Sequence, residues 1–394
     1  MSNILLSERP HIGIFGDTNA GKSAIFNKIL GQDMSIVSET RGTTTDPVIK
    51  VMELISFGAV ALVDTAGLGD ETALAQARES KTRQIFRRTT LALYIADISE
   101  FSESSYAGIK LEFEKNDIPH VLVFSKIDKV EDFQKFEEGY PNAEFVSVYD
   151  EQSVEKLKSR IVNELKKINT DNGKLLSDLL PPKSTVVLVV PIDSEAPKGR
   201  LILPQVQLIR ECLDSNIKCV VVTLAELAEV LSELKRVDLV ITDSQAFAEV
   251  EKIVSPDILL TSFSMLFARK KGDFSTLLSG AAGIDKLSHG DKILIAEGCS
   301  HNTSHEDIGT VKIPALLKKV TGKKLTFDIM QGHDFPGGVS EYALIIHCGG
   351  CMLTDAEMRS RIKLAIGADV PITNYGMAIA KLTGISERTI EVFK

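Results

Sequence analysis

Two groups of residues in the 394-residue chain have the types and spacing that chemistry requires. The first, Gly16-Asp17-Thr18-Asn19-Ala20-Gly21-Lys22-Ser23, matches the pattern G-x-x-x-x-G-K-[ST]. Glycines let a backbone curl until its N–H groups converge on phosphate oxygens at a helix N-terminus. The segment Asn19, Ala20, Gly21, Lys22, Ser23 and Ala24 is expected to form that cradle, with Lys22 as a point charge at the β/γ phosphates and the Ser23 hydroxyl on Mg²⁺. The second group is Cys299-Ser300-His301 with His347-Cys348-Gly349-Gly350-Cys351. A C-x-x-C spacing lets two thiolates converge on one centre, and paired glycines let amides approach sulfur. An inert thiol cluster is a poor account of three Cys and two His in two short segments. Spacing alone leaves a Cys₃His zinc site and an iron–sulfur cluster equally supported. With three cysteines, an iron cluster would hold one iron by an exchangeable or non-thiolate ligand.

Downstream residues select the nucleotide. Asp64-Thr65-Ala66-Gly67 closes an apolar run, which brings Asp64 beside Mg²⁺ and lets the Gly67 amide sense the γ-phosphate; with Lys22 these are the expected catalytic groups. Ser125-Lys126-Ile127-Asp128 closes another run, and an Asp there accepts hydrogen bonds from guanine N1–H and its exocyclic amine, which adenine does not offer. The polar stretch Thr40–Asp46 between the first two motifs supplies a threonine for Mg²⁺.

An α/β sheet is needed to present these groups. HIGIFG from His11, VALVDT from Val60, LALYIAD from Leu91 and HVLVFSK from His120 read as buried strands, with EFVSVYD ending at Asp150 as a weaker one. Helices are expected to begin near Lys22, Glu71, Tyr106, Val130 and Ser153, and continuous apolar runs favour parallel strands covered on both faces. Ile168–Ser184, with Pro181-Pro182, interrupts the periodicity. Strand–helix alternation then restarts with TVVLVVPID, KCVVVTL, VDLVITD and ILLTSFS; the first three begin 33 and then 19 residues apart, too irregular for a solenoid. DKILIAEG, KLTFDIM and EYALIIH form a third set, followed by a helix whose start, Thr354-Asp355-Ala356-Glu357, fits a capping box. The fold class is α/β: a P-loop domain over residues 1–168, a linker over 169–184, a second α/β domain over 185–268 and a C-terminal α/β domain over 269–394. Cys212 and Cys219, in a helical run and a strand, are expected as core thiols, and His305 and His333 as solvated loop residues.

Composition bounds the function. With 45 Lys+Arg against 54 Asp+Glu the net charge is −9, which argues against nucleic acid as the main partner. No apolar run reaches the ~20 residues that span a bilayer, so no membrane role is expected. The N-terminal stretch MSNILLSERPHIGIFG lacks the basic and apolar regions of an export signal, and five cysteines make an odd set for disulfides. A reducing, cytoplasmic setting is expected.

The nucleotide motifs, in this order, resemble the translation-factor-related GTPases, in particular the branch with TrmE, Era and EngA. The resemblance implies GTP/GDP as ligand, Thr44 as the Mg²⁺ ligand, and Asn19 with Ser38–Thr43 as the enclosure of a K⁺ ion near the phosphates, Thr43 among its ligands. Leu68 stands where Ras-type enzymes carry a water-orienting Gln, so a monovalent cation would supply the missing electrostatic stabilisation, with Asp70 and Glu71 as alternative water-positioning groups. Ser125 replaces the usual Asn, which implies weaker guanine affinity, and Ser147-Val148-Tyr149 stands where relatives carry Ser-Ala-Lys, with no role expected beyond a backbone contact.

Together with the cysteine group, whose His301–His347 interval holds 45 residues, the whole chain resembles HydF, the GTPase family that matures FeFe-hydrogenase. That resemblance favours iron over zinc: Cys299, Cys348 and Cys351 would bind a 4Fe–4S cluster, with His301 as the fourth ligand, or else His347, Glu297, Glu306 or solvent. His347 is alternatively a hydrogen-bonding neighbour of the cluster. The resemblance further implies a homodimer formed through the middle domain. It implies a scaffold that takes a di-iron precursor made with the radical-SAM proteins HydE and HydG and delivers it to the apo-hydrogenase HydA. The competing readings are a zinc-stabilised regulatory GTPase of ribosome or RNA assembly, and a GTPase whose C-terminal region senses redox state.

Overall fold

The computed structural model describes residues 6–31, 48–65, 84–169, 173–192, 199, 201–298 and 308–394. Thr43, Thr44, Gly67, Cys299 and His301 lie outside the described residues, as do Leu68, Asp70, Glu71, His305 and Glu306. The chain divides into two compact units, Met1–Asn172 and Gly173–Lys394.

In the first unit, β1 (His11–Gly16), β2 (Val48–Leu54), β3 (Gly58–Asp64), β4 (Leu91–Asp97), β5 (His120–Ser125) and β6 (Glu144–Val146) make one sheet in the order β2-β3-β1-β4-β5-β6. Period-2 alternation divides its side chains between two cores. Ile12, Ile14, Leu91, Leu93 and Ile95 pack against Ile25, Phe26 and Ile29 of the helix Lys22–Leu30 and against Leu157, Ile161 and Leu165 of the helix Glu151–Asn169. Phe15, Ala92, Tyr94 and Ala96 face the other way, toward Phe113 of the helix Glu103–Lys115 and toward Phe86. With both faces covered, every residue of β4 is buried, which is why the parallel strands read as unbroken apolar runs. The exception is β2, which pairs antiparallel with β3 from Val48↔Asp64 to Leu54↔Gly58 at the sheet edge.

The second unit holds two four-stranded sheets, parallel throughout. One runs β10-β9-β7-β8, from β7 (Thr185–Val189), β8 (Lys218–Val222), β9 (Leu239–Thr242) and β10 (Leu259–Ser262). The other runs β12-β11-β13-β14, from β11 (Lys292–Ala296), β12 (Thr326–Met330), β13 (Leu344–His347) and β14 (Ile372–Asn374). One core joins them: Val187 and Val240 of the first sheet, Leu294 and Ile345 of the second, and Met265 and Ala268 of the helix Phe263–Lys271. That helix starts on Ser262, whose hydroxyl accepts the Met265 amide. The apolar segments VVLVVP and VDLVITD lie inside their sheet as β7 and β9, leaving β8 and β10 as its edges.

Part of the stretch expected as a linker is anchored. Leu175, Leu176 and Leu180 are buried with Leu188, Leu208 and Phe267, and the Glu211 carboxylate accepts the amides of Leu175, Leu176 and Ser177 at 3.0, 2.8 and 2.9 Å. Turn-forming residues around these leucines mask their apolar face in the sequence. Among the described residues no helix is long and apolar enough to cross a membrane.

Candidate functional site

The phosphate-binding segment sits where β1 turns into the helix Lys22–Leu30. Gly16 takes φ 140°, and a Cβ there would meet the Ile95 carbonyl oxygen at 2.0 Å, so only glycine fits. Gly21 at φ 89° and Asn19 at φ 62° complete the curl, and Ala24 lies in the first helical turn. Lys22 Nζ donates to the carbonyls of Gly16 at 2.8 Å and Asp17 at 2.6 Å, so the ammonium lies inside the loop. Burial pulls its pKa below the ordinary lysine value, while Asp64 and Asp17 oppose that pull. Ser23 Oγ donates to Asp64 Oδ2 at 3.4 Å, bringing the two expected Mg²⁺ groups together from sequence positions 41 apart. Thr65 ties the end of β3 to β1 by donating to the Ile14 carbonyl.

The segment expected to read the base is tied to the phosphate loop and to β4. The Ser125 hydroxyl, buried, lies 2.6 Å from the Ala20 carbonyl and 3.1 Å from that of Ala96, so it braces the phosphate loop against β4. A short side chain suffices for that brace. Lys126, in the left-handed region at φ 58°, donates to the Asn19 carbonyl at 2.7 Å and to Asp97 Oδ2 at 2.6 Å. Burial pushes the Asp97 carboxyl up, but hydrogen bonds from Lys126 and Ser99 prevail and hold it below the usual carboxylate range. Asp128 accepts the Ser147 hydroxyl at 2.6 Å, and the Tyr149 amide donates to the same oxygen of Ser147 at 3.2 Å. Ser147 therefore makes more than the expected backbone contact: its hydroxyl holds the Asp128 carboxylate. Tyr94, whose hydroxyl donates to Asp17 at 3.3 Å, and Asp97, which holds Lys126, carry no motif signal, because these two pairings span 77 and 29 residues of sequence. Gly67, Thr43 and Thr44, expected around the γ-phosphate, lie outside the described residues.

In the second unit Cys348 follows β13 directly. Its Sγ accepts the Gly298 amide at 3.0 Å and the Gly350 amide at 3.4 Å. Gly350 achieves this at φ 64°. Burial and the neighbouring Cys351 push the Cys348 thiol up to about 11, while those two amides pull it back. Two amides aimed at one half-buried sulfur suit an anionic, metal-bound sulfur better than a neutral thiol, so this part of the donor set fits a thiolate-ligated centre. Among the described residues no group of three or more His, Cys, Asp or Glu is placed to hold a metal, and Cys299 and His301 lie outside them.

His347 is buried and spends both ring nitrogens: Nδ1 donates to the Cys348 carbonyl at 2.8 Å, and Nε2 accepts Arg361 at 3.0 Å. Burial, then the Arg361 charge, push it down to about 3 and keep it neutral. It is a hydrogen-bonding neighbour of the cysteine turn. Glu297 is engaged likewise, accepting Tyr375 and Gln331, each at 3.0 Å. His333, expected as a solvated loop residue, instead lies 2.9 Å from the buried Glu357. Glu357 also receives Arg361 at 2.8 Å, and Lys271, buried, donates to the Leu353 carbonyl at 2.9 Å. Cys212 is a core residue as expected, and Cys219 packs against the same core.

Comparison with known proteins assigns families to three stretches. Residues 11–126 match the family described as 50S ribosome-binding GTPase. Residues 175–272 match the hydrogen maturase F dimerization domain, and residues 275–392 the hydrogen maturase F tetramerization domain. The tRNA modification GTPase MnmE of Chromobacterium violaceum is 30% identical over 177 residues, covering 44% of this chain and 38% of that protein. The GTPase Der of Campylobacter hominis is 35% identical over 133 residues, covering 32% of this chain and 28% of that protein. The chain thus spans well under half the length of these curated relatives. Among solved structures, the G domain of the T. maritima FeoB iron transporter aligns at 22% identity and a TM-score of 0.32, over 40% of this chain and 98% of that one.

Proposed function

The chain belongs to the hydrogen maturase F family of P-loop GTPases, and from that membership we propose that it couples GTP hydrolysis to the carriage of an iron–sulfur centre for FeFe-hydrogenase. GTP and Mg²⁺ bind the first unit through Lys22, Ser23 and Asp64, with Thr44 closing on the ion and Asp128 reading guanine. Cys299, Cys348 and Cys351 hold a 4Fe–4S cluster, with His301 or a solvent molecule at the remaining iron. The cluster presents that exchangeable iron to cargo. The cargo is a di-iron precursor received from HydE and HydG and passed to HydA. The chain works as a homodimer, and γ-phosphate contacts to the segment around Thr44 switch its affinity for partners.

The observation that carries this reading is the pair of amides on Cys348 Sγ, in a chain that also bears a P-loop. Anaerobic purification and metal analysis test it. About four irons per chain are expected, with an EPR signal on reduction that is lost when Cys299, Cys348 and Cys351 are all changed to Ala. One zinc and no visible absorption would overturn it in favour of a zinc-stabilised regulatory GTPase. A K⁺ ion held by Asn19 and Thr43 beside the phosphates replaces an arginine finger. GTP turnover is therefore expected to be faster in potassium chloride than in sodium chloride, and equal rates would remove K⁺ from the site.

A further inference from the structure

The turn Cys348–Leu353 is gripped from two sides by buried cations. From the helix Phe263–Lys271, Lys271 Nζ lies 3.4 Å from the carbonyls of Gly350 and Cys351 and 2.9 Å from that of Leu353. From the helix Asp355–Gly367, Arg361 donates to His347 Nε2, and His347 Nδ1 donates to the Cys348 carbonyl. Lys271 is 1% exposed and Arg361 fully buried. Carbonyls of four residues in this turn are thereby drawn to cationic or imidazole donors. The amides of Gly298 and Gly350 meanwhile point at Cys348 Sγ. With its carbonyls held back and amides facing sulfur, the turn presents a positive face to whatever the thiolates bind.

Resting on the iron–sulfur reading above, we propose that Lys271 and Arg361 are positioning residues for the cluster: both set the turn's geometry, and Lys271 stabilises the cluster's reduced, more negative state, whereas the Arg361 charge is paired with Glu357. Hydrogen bonding and local charge at the sulfurs are among the determinants of a cluster's reduction potential. Lys271 comes from the stretch matched as the dimerization domain, whereas the cysteines lie in the stretch matched as the tetramerization domain. The lysine therefore makes the cluster turn depend on the seating of the preceding domain. Arg361 acts through His347 and needs no contact with the metal.

The test is an EPR-monitored redox titration of the anaerobically reconstituted full-length chain and its Lys271→Gln and Lys271→Arg variants. Glutamine keeps a donor but removes the charge. At a fixed potential, Lys271→Gln is expected to lower the ratio of reduced to oxidised cluster about tenfold, a midpoint about 59 mV more negative for one electron, at unchanged iron content. Lys271→Arg keeps the cation and is expected to stay within about twofold of the wild-type ratio. A folded Lys271→Gln chain with the wild-type potential and EPR line shape overturns the proposal. If the neutral variant does not fold, the arginine variant decides, because a tenfold shift in it also overturns the proposal. A wild-type chain that takes up no iron defeats the underlying reading instead, which separates the two failures.

Discussion

Lys22→Ala is expected to lower GTP turnover about 10²–10³-fold, the usual cost of deleting one preorganised electrostatic contact to a transition state. The Lys22 ammonium lies inside the phosphate loop, held by the carbonyls of Gly16 and Asp17 and flanked by Asp64. Phosphoryl transfer leaves little covalent work for the protein, so positioning and charge neutralisation supply the rate. On the proposed mechanism, Leu68 in place of the Ras-type glutamine would concentrate the burden further on Lys22 and the cations. Alanine removes the charge, whereas arginine would bring a planar fork too large for a space shaped by two backbone carbonyls. Single-turnover phosphate release at saturating GTP separates loss of chemistry from loss of binding. Turnover within threefold of wild type in a chain that melts normally would show that the lysine is not at the γ-phosphate.

What the sequence shows and what it hides follow one physical division. Strands buried on both faces announce themselves, and β1, β3, β4, β5, β7 and β9 all lie on apolar runs. β2 does not, because it is an edge strand with one mixed face, burying Met52 and Leu54 but exposing Val48 and Glu53. β14 is three residues long, too short for any period to register. The P-loop is equally legible, since it is a local device whose eight positions are contiguous. Side-chain partnerships across the fold are not local. Read against an asparagine motif, Ser125 gives no sign that its hydroxyl reaches the carbonyl of Ala20, 105 residues away. Nothing local in RSRIK or FARKK marks Arg361 and Lys271 as buried. Their burial arises only because two sheets share a core and bring the cysteine turn against both helices. His347 shows the same limit, for spacing makes it a candidate ligand and only its two hydrogen bonds make it a buried support.

Arg361→Met is expected to destabilise the second unit by about 3–5 kcal/mol, because removing one partner of a buried ion pair strands the other. The Arg361 and Glu357 side chains are 0% and 2% exposed, and their 2.8 Å contact spans one helical turn. Arg361 also supplies a donor to the Gly332 carbonyl at 2.7 Å and to His347 Nε2, and its guanidinium lies 5.0 Å over the Phe335 ring. Methionine fills much of the volume but offers none of these hydrogen bonds, so several acceptors lose a donor where water has little access. A hydrophobic replacement of the whole pair would be far milder, since the desolvation cost of both charges disappears together. The double variant Arg361→Met/Glu357→Gln is therefore expected to lose less than the sum of the two single changes. Urea denaturation of the reduced apo chain, followed by far-UV circular dichroism, measures all four corners of that cycle. If Arg361→Met stays within about 1 kcal/mol of wild type, the guanidinium is not a structural keystone, and its role beside the cysteine turn reduces to what it does for His347.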